Sequence, residues 1–261
     1  MEKKTDHNSA TPQNTGAQHT PPTPHIFDQG QMLLIDKPID WTSFDVVRRL
    51  RRQVRTKKVG HAGTLDPLAT GLLILCTGKY TKKINDYMAQ EKEYTGTITL
   101  GAFTPTYDLE SEPQEFKDYA FVTPELVAAT IADSFTGPIL QTPPIHSAIK
   151  VNGQRVYELA RKGKAVKLEP RPITIKEFAI TGFQLPVLTF RVVCTTGTYI
   201  RSLANDLGAA LGCGGYLSSL RRTRIGEFKV EDAMGIAAAE AWIQSKFEEG
   251  AAKPDAEAQN G

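Results

Sequence analysis

The sequence predicts an α+β fold, because short apolar strands and amphipathic helices follow one another without a regular order. Apolar runs rich in β-branched residues are typical of strands, and four of them stand out, at 32–35, 72–76, 95–101 and 188–196. Segments of helical period lie between these runs, and no βαβ unit repeats along the chain. A doubly wound parallel sheet is therefore disfavoured.

Three helices are predicted, each after a residue that can cap its N-terminus. The first follows Thr42 and Ser43, and the last follows Thr198. The second follows Thr123 and carries Pro124 in its first turn, as helix starts favour. The apolar positions that give the first and last helices their period are Val47, Leu50, Val54, Ile200, Leu203, Leu207 and Leu211.

Composition sets the bounds of the folded body. Residues 1–29 are polar and proline-rich, with almost no large apolar side chains, so they cannot bury enough surface to offset chain entropy. Residues 246–261 are again small, acidic and polar. We therefore expect a disordered N-terminal tail, a folded body at 30–245 and a flexible C-terminal tail.

Several functional classes are disfavoured by composition. The cysteines, Cys76, Cys194 and Cys213, are odd in number and far apart, which favours buried thiols over disulfides or a zinc site. No apolar run approaches the length of a membrane span or resembles a signal peptide, and no glycine-rich phosphate loop appears. These features predict a soluble cytoplasmic protein.

Basic residues collect in two segments although the formal net charge is only +2. The stretch at 48–58 holds seven Lys and Arg residues and no acidic one, and 150–176 is also strongly basic. The alternatives are a solvated helix face and a surface that contacts nucleic-acid phosphates. The residues predicted to contact an RNA backbone are Arg48, Arg52, Arg55, Lys57, Lys58, Lys150 and Arg155.

Acidic residues are gathered away from these basic segments, so the low net charge conceals a strong asymmetry. We expect five of them to lie in one surface loop, where nucleic acid would be repelled. These residues are Asp108, Glu110, Glu112, Glu115 and Asp118.

The segment VGHAGTLDPLATGLLIL, residues 59–75, is the strongest candidate for chemistry. It places His61, Asp66 and three glycines in a predicted irregular loop that leads into an apolar strand. Pro67 biases Asp66 toward an extended or turn conformation, from which its carboxylate can point into a cleft. Taken alone, an Asp-Pro pair is usually a turn, and a single histidine is usually structural.

The motif GHAGTLDPLATGLL resembles the active-site motif of the TruB family of tRNA pseudouridine synthases. Further segments resemble that family in the same order, over about 32–230: LLIDKP, WTSFDVV, EKEYTGTITLG, PPIHSAIKVNGQRVYELARKG, GTYIRSLANDLG and LGCGGYLSSLRRTRIGEF. The resemblance implies the pseudouridine synthase fold, with a mixed, largely antiparallel central sheet flanked by helices and loops. It also implies a mobile thumb at about 142–171, and we expect no C-terminal PUA module, the small RNA-binding unit of many relatives.

The resemblance assigns roles to individual residues. Asp66 would be the nucleophile, paired with Arg201, and Tyr94 would stack on the target uracil and serve as a candidate for proton transfer. The remaining residues would lie against the flipped base or beside the site: His61, Tyr199, Leu220, Lys37 and Pro38. The implied reaction is isomerisation of uridine 55 in the tRNA T-loop by a monomer, without metal, organic cofactor or obligatory protein partner.

The chemistry explains why such residues are needed. The N1–C1′ bond of uridine must break, the uracil must turn, and C5 must bond to C1′, which requires an ionised carboxylate and no group carrier. Burial alone would raise the carboxylate pKa, and an arginine opposes that shift. An extruded base also needs an aromatic surface to replace part of its lost stacking.

Several alternatives stay open at this point. Tyr94 and Tyr199 also suit ordinary core positions, Arg201 could pair with Asp206 on its own helix, and Lys37 with Pro38 could simply end a strand. A second function is a tRNA-binding folding chaperone with secondary or no catalysis. A metal-dependent hydrolase would need several acidic ligands near Asp66, and the motif segments offer no second one.

Overall fold

The computed structural model of the protein describes residues 25–145, 150–151, 154–155 and 168–251. Six α-helices lie in these residues: α1 Ile26–Gln29, α2 Ser43–Val54, α3 Ile84–Ala89, α4 Pro124–Ser134, α5 Ile200–Ala210 and α6 Ile236–Ala251. The strands are β1 Met32–Lys37, β2 Val59–Ala62, β3 Ala69–Thr77, β4 Lys92–Leu100, β5 Gly137–Gln141, β6 Lys150–Val151, β7 Gln154–Arg155, β8 Arg171–Gln184, β9 Val187–Cys194, β10 Gly215–Ile225 and β11 Phe228–Lys229.

Nine of the described strands form one sheet. Its order is β1-β3-β10-β4-β9-β8-β5, with β2 beside β3 and β11 beside β10, while β6 and β7 form a separate hairpin. Neighbouring strands run antiparallel except β3 and β10, which pair in parallel at 69–71 and 220–222. The predicted α+β class with a mixed, largely antiparallel sheet is therefore confirmed.

Helix starts follow the predicted capping with one exception. Thr42 accepts a hydrogen bond from the Asp45 amide, and the Asp45 side chain bonds back to the Thr42 amide, which completes a capping box. Thr123 likewise accepts a bond from the Leu126 amide. The prediction that Thr198 caps α5 is wrong, because its hydroxyl donates to the Thr195 carbonyl and α5 begins after Tyr199.

Strand β3 is apolar along nearly its whole length because both of its faces are covered. Leu73 and Leu75 pack in a cluster with residues of α1, α2 and α6. Leu72 and Ile74 belong to a second cluster on the other face, together with Ile225 of β10. Packing on both faces thus fixes the position of β3. It also fixes the end of the loop that precedes β3.

Both ends of the folded body extend further than the composition indicated. Phe27 of α1 is fully buried although it lies within the expected tail at 1–29. Helix α6 runs to Ala251, past the expected boundary at 245, and its Phe247 ring stacks on His25 with a centroid distance of 3.9 Å. The few apolar residues of each segment pair with one another, which composition cannot show. The rest of both tails, 1–24 and 252–261, lies outside the described residues.

The other expectations from composition can be compared with the described residues directly. Cys76, Cys194 and Cys213 are buried free thiols. None of the helices in the described ranges is both long and apolar enough to cross a membrane.

The burial of Phe27 predicts a large loss of stability when its ring is removed. Phe27→Ala should lower the free energy of unfolding by about 3–5 kcal/mol, the usual cost of emptying a buried phenylalanine site. Chemical denaturation measures this loss. Phe116→Ala is the matched control, since Phe116 is 79% exposed, and it should change stability by less than about 0.5 kcal/mol. A similarly small effect of Phe27→Ala would contradict the burial of Phe27 and would show that residues 25–29 belong to the tail.

Candidate active site

Asp66 lies in the loop between β2 and β3, directly before β3 enters the sheet between β1 and β10. The Ser43 hydroxyl at the start of α2 accepts from the Leu65 amide at 2.8 Å and donates to the Leu65 carbonyl at 3.2 Å. The Asp66 carbonyl accepts from the Ala69 amide at 3.1 Å, which closes a turn into β3. These bonds hold the backbone on both sides of the carboxylate.

Lys37 supports this loop by hydrogen bonds to backbone carbonyls, and it does not line the cleft that opens beside Asp66. Its ammonium donates to the carbonyls of Pro38 at 2.9 Å, Trp41 at 2.5 Å and Pro67 at 3.2 Å, and the residue is fully buried. Burial lowers its pKa to about 8, although the Asp66 charge acts in the opposite direction. The expectation that Lys37 binds substrate is therefore corrected. Lys37 supports the loop, because its ammonium donates to backbone carbonyls.

Arg201 connects the loop to helix α5. Its Nε lies 2.9 Å from a carboxylate oxygen of Asp66 and 3.6 Å from one of Asp108. A further donor of its guanidinium bonds to the Thr106 carbonyl at 3.3 Å. The side chains of Arg201 and Asp108 are 5% and 6% exposed, whereas that of Asp66 is 39% exposed. Of the two carboxylates, Asp66 is therefore the one that can meet a substrate.

Asp108 corrects the expectation of a wholly exposed acidic loop. The other four acidic residues of that loop are exposed, but Asp108 is buried and accepts a bond from the Glu110 amide at 3.0 Å. Tyr107 before it adopts a positive φ of 65°, and its carbonyl accepts from the Leu217 amide of β10. Composition typical of a solvated loop concealed this residue, and no sequence signal separated it from its acidic neighbours.

The three charges set the acidity of the site. Burial raises the pKa of Asp66, and the negative charge of Asp108 adds to that effect. The Arg201 guanidinium opposes both through its charge and a hydrogen bond. The ionised form of Asp66 therefore depends on Arg201.

Tyr94 lies on β4. Strand β10 lies between β4 and β3, the strand that follows the Asp66 loop. Tyr94 is 8% exposed and is paired in register with Val192 of β9 and Arg222 of β10. Burial raises the pKa of the Tyr94 phenol, against the opposing effect of the Arg222 charge. At neutral pH the phenol is therefore a proton donor rather than an anion.

Arg222 is a second supporting cation that the sequence analysis did not single out. It is 1% exposed, and its guanidinium donates to the carbonyls of Leu72 at 2.7 Å and Gly63 at 3.0 Å. It thereby joins β10 to β3 and to the start of the Asp66 loop. In the sequence it is one arginine of an RRTR run, which is typical of a basic surface rather than of a buried site.

A cleft of about 310 Å³ opens beside Asp66. It brings together five residues predicted from the sequence: Asp66, Tyr94, Tyr199, Arg201 and Leu220. Its other walls come mainly from the loop at 195–198, from Lys92 and from Arg222. His61 is not among the lining residues, because it lies on β2 opposite Leu75, where burial lowers its pKa.

The predicted RNA contacts are only partly on a helix. Helix α2 ends at Val54, and Arg55 follows it in a left-handed conformation with φ 54°, so Lys57 and Lys58 lie beyond the helix. Arg52 is exposed, and Arg48 is exposed but forms a salt bridge with Asp45 at 2.7 Å. The side chains of Lys150 and Arg155, and most of the thumb expected at 142–171, lie outside the described residues.

No group of three or more His, Cys, Asp or Glu side chains in the described ranges could hold a metal ion. Among the described residues, Asp66 is the carboxylate that lines the cleft, and the Nε of Arg201 lies 2.9 Å from it and 3.6 Å from buried Asp108.

Two family models match the chain. One is described as TruB family pseudouridylate synthase (N terminal domain) and matches residues 51–200, and the other is tRNA pseudouridylate synthase B C-terminal domain, at 201–251. The chain belongs to the TruB family. Its enzyme class is therefore that of an isomerase that makes pseudouridine.

Relatives in this TruB family match most of the chain. The protein named tRNA pseudouridine synthase B from Flavobacterium johnsoniae is 50% identical over 229 residues, which cover 85% of this chain and all of that protein. The protein of the same name from Bacteroides fragilis strain ATCC 25285 is 48% identical over 226 residues, or 84% of this chain and 97% of that one.

Solved structures share the fold. A chain in the structure titled "Crystal Structure of a Cbf5-Nop10-Gar1 Complex" is similar with a TM-score of 0.66 and 26% identity, covering 91% of this chain and 64% of that one. A chain in "Structure of H/ACA RNP bound to a substrate RNA containing 2'-deoxyuridine" gives a TM-score of 0.64 and 25% identity, covering 86% and 57%. The TruB chain thus spans about six tenths of the length of these two proteins.

The pairing of Arg201 with Asp66 predicts a change in the pH dependence of pseudouridine formation. If ionised Asp66 is required, activity is lost as pH falls through its pKa, which Arg201 lowers. Arg201→Gln should therefore move the acidic limb of kcat/KM to higher pH, while Arg201→Lys, which keeps the charge, should move it less. A limb at the same pH in Arg201→Gln as in the wild type would contradict the assignment.

Proposed function

We propose that this TruB enzyme isomerises uridine 55 in the T-loop of tRNA, with Asp66 as the nucleophile. The observation that carries the proposal is the Asp66–Arg201 pair at 2.9 Å, which meets a cleft also lined by Tyr94, Tyr199 and Leu220. Asp66 is the exposed member of an otherwise buried charge cluster. A reactive carboxylate in a half-closed cleft has this environment.

The geometry supports a reaction that releases and recaptures a base. The cleft volume of about 310 Å³ is at the small end of the usual range for ligand pockets, so it suits a single nucleoside better than a paired segment. The uridine must then leave its stack, and the rings of Tyr94 and Tyr199 can replace part of the stacking at about 1–3 kcal/mol per base. The cleft walls would keep the detached uracil beside C1′ while it turns.

For each catalytic step, the cleft offers a side chain that can carry it out. Ionised Asp66 attacks the ribose or the base, which allows the N1–C1′ bond to break, and Arg201 keeps the carboxylate charged before attack. When C5 bonds to C1′, the bond made by Asp66 breaks and the carboxylate is freed. The proton on C5 must then move to N1, and the neutral Tyr94 phenol is the candidate relay, since its oxygen can accept that proton while its hydroxyl gives one up. No electron or group carrier takes part in this scheme, so we propose that the enzyme uses neither metal nor organic cofactor.

The names of the relatives and the exposed charge of α2 support tRNA as the substrate. The curated relatives described above are named as tRNA synthases, and exposed arginines of α2 suit a phosphate backbone. We propose that the enzyme works in the cytoplasm as a monomer without an obligatory protein partner. The structural neighbours carry titles that name multiprotein complexes, and those partners belong to those proteins.

Asp66→Asn should abolish pseudouridine formation while tRNA binding is retained, because the amide keeps the shape of the carboxylate but not its charge. An unmodified tRNA transcript is incubated with each protein without added metal or nucleotide. Carbodiimide labelling and primer extension then map pseudouridine. A T-loop stop with the wild type and none with the variant is the expected result.

Asp118→Asn is the matched control, since Asp118 is an exposed aspartate outside the cleft, and it should modify tRNA like the wild type. Full activity of Asp66→Asn would remove Asp66 from the mechanism. Tight tRNA binding without modification by the wild type would favour the folding-chaperone alternative instead.

Replacing an exposed arginine of α2 should weaken tRNA binding in a salt-dependent way. Arg52→Ala should lower the slope of log K against log salt concentration by about 1, as expected when one phosphate contact is lost. Arg49→Ala is the control on the same helix, because Arg49 is held by Glu240 at 2.6 Å. Equal slopes for Arg52→Ala and wild type would exclude Arg52 from the interface.

A further inference from the structure

The loop between β9 and α5 forms one wall of the cleft and ends in Tyr199. It is tied to neighbouring strands at both of its ends. At the first end, the Thr195 amide donates to the Thr174 carbonyl of β8 at 3.0 Å, and the Thr174 amide donates to the Thr195 hydroxyl at 2.9 Å. At the second end the tie is made by a side chain that none of the sequence motifs drew attention to.

That side chain is Gln141, the last residue of β5. It is 3% exposed, its amide nitrogen donates to the Tyr199 carbonyl at 3.0 Å, and its amide oxygen accepts from the Tyr199 amide at 2.8 Å. One carboxamide therefore bonds to both polar backbone groups of Tyr199. Only a group with a donor and an acceptor side by side can make this pair of bonds.

Both bonds are made at Tyr199, where the loop that forms the cleft wall ends and helix α5 begins. The Tyr199 carbonyl also accepts from the Leu203 amide at 3.1 Å, which is the first helical bond of α5. Tyr199 occupies the N-cap position but makes no capping bond with its own side chain. Arg201, which pairs with Asp66, follows two residues later. A shift at Tyr199 would therefore move the tyrosine ring and the start of α5 together.

We propose that Gln141 is a positioning residue for catalysis, which fixes the Tyr199 backbone so that the tyrosine ring meets the target base and Arg201 meets Asp66. The inference rests on the proposed function, since it requires Tyr199 to contact the target base. Gln141 itself touches neither the base nor Asp66 in this scheme. Its effect should appear in the chemical step, because small errors of position lower rates strongly.

The test compares single-turnover rates of pseudouridine formation with the Kd for unmodified tRNA. Gln141→Leu removes both bonds and should lower the rate about tenfold or more, while the Kd changes by less than about threefold. Gln141→Glu keeps the acceptor and loses the donor, so its rate should fall by at least as much. Gln141→Met provides an apolar variant of similar length if the leucine variant does not fold.

Ser202→Ala is the matched control. The Ser202 hydroxyl donates to the Thr142 carbonyl at 2.9 Å, so it ties the same junction of β5 and α5 without touching Tyr199. If Gln141 acts through Tyr199, this control should lower the rate by less than about threefold. An equal loss in Ser202→Ala and Gln141→Leu would show that the junction is merely structural and would overturn the proposal.

A double-mutant cycle tests the route of the effect. In a Tyr199→Ala background, Gln141→Leu should lower the rate by clearly less than it does in the wild type, because the part of its effect that acts through the tyrosine ring is already lost and only the part that acts through Arg201 remains. A full additional loss would overturn the proposal, as would wild-type rates in Gln141→Leu or failure of all three Gln141 variants to fold. Absence of pseudouridine with the wild-type enzyme would instead refute the proposed function, so the two failures are distinguishable.

Discussion

The site depends on one constraint, which is that buried backbone carbonyls must be hydrogen-bonded. The loop that carries Asp66 and the residues around it turn carbonyls of Gly63, Pro67 and Leu72 inward. Lys37 and Arg222, both almost wholly buried, supply the donors. Desolvating two cations is costly, and the cost is offset only because several carbonyls share them. These bonds attach the loop that carries Asp66 to β1 through Lys37 and to β10 through Arg222.

One of these two cations, Lys37, also affects the acidity of the site. The charges of Arg201 and, more weakly, of Lys37 oppose the rise in the pKa of Asp66 that burial causes. Asp108 acts in the other direction, and it also neutralises Arg201. Asp108 therefore limits how far Arg201 lowers the pKa of Asp66.

The sequence predicted what depends on local pattern and missed what depends on contacts between distant segments. Strand β3 and helix α2 follow from apolar period and capping residues, and the cleft residues Asp66, Tyr94 and Arg201 follow from motifs. The burial of Asp108 and Arg222 does not, because an acidic run and a basic run are each typical of solvent-exposed surface. The family resemblance placed Lys37 beside the substrate, but a motif does not show the three backbone carbonyls to which its ammonium donates.

Strand β10 shows how far these distant contacts determine the active site. It pairs with β3, which follows the Asp66 loop, and with β4, which carries Tyr94, and it contributes Leu220 and Arg222 to the cleft. The two matched family models meet between residues 200 and 201, so the boundary falls inside α5, directly before Arg201. A chain ending at that boundary would lose the partner of Asp66 and the strand that unites the two halves of the sheet. The two models therefore describe one catalytic unit, since neither segment contains both charges of the central pair.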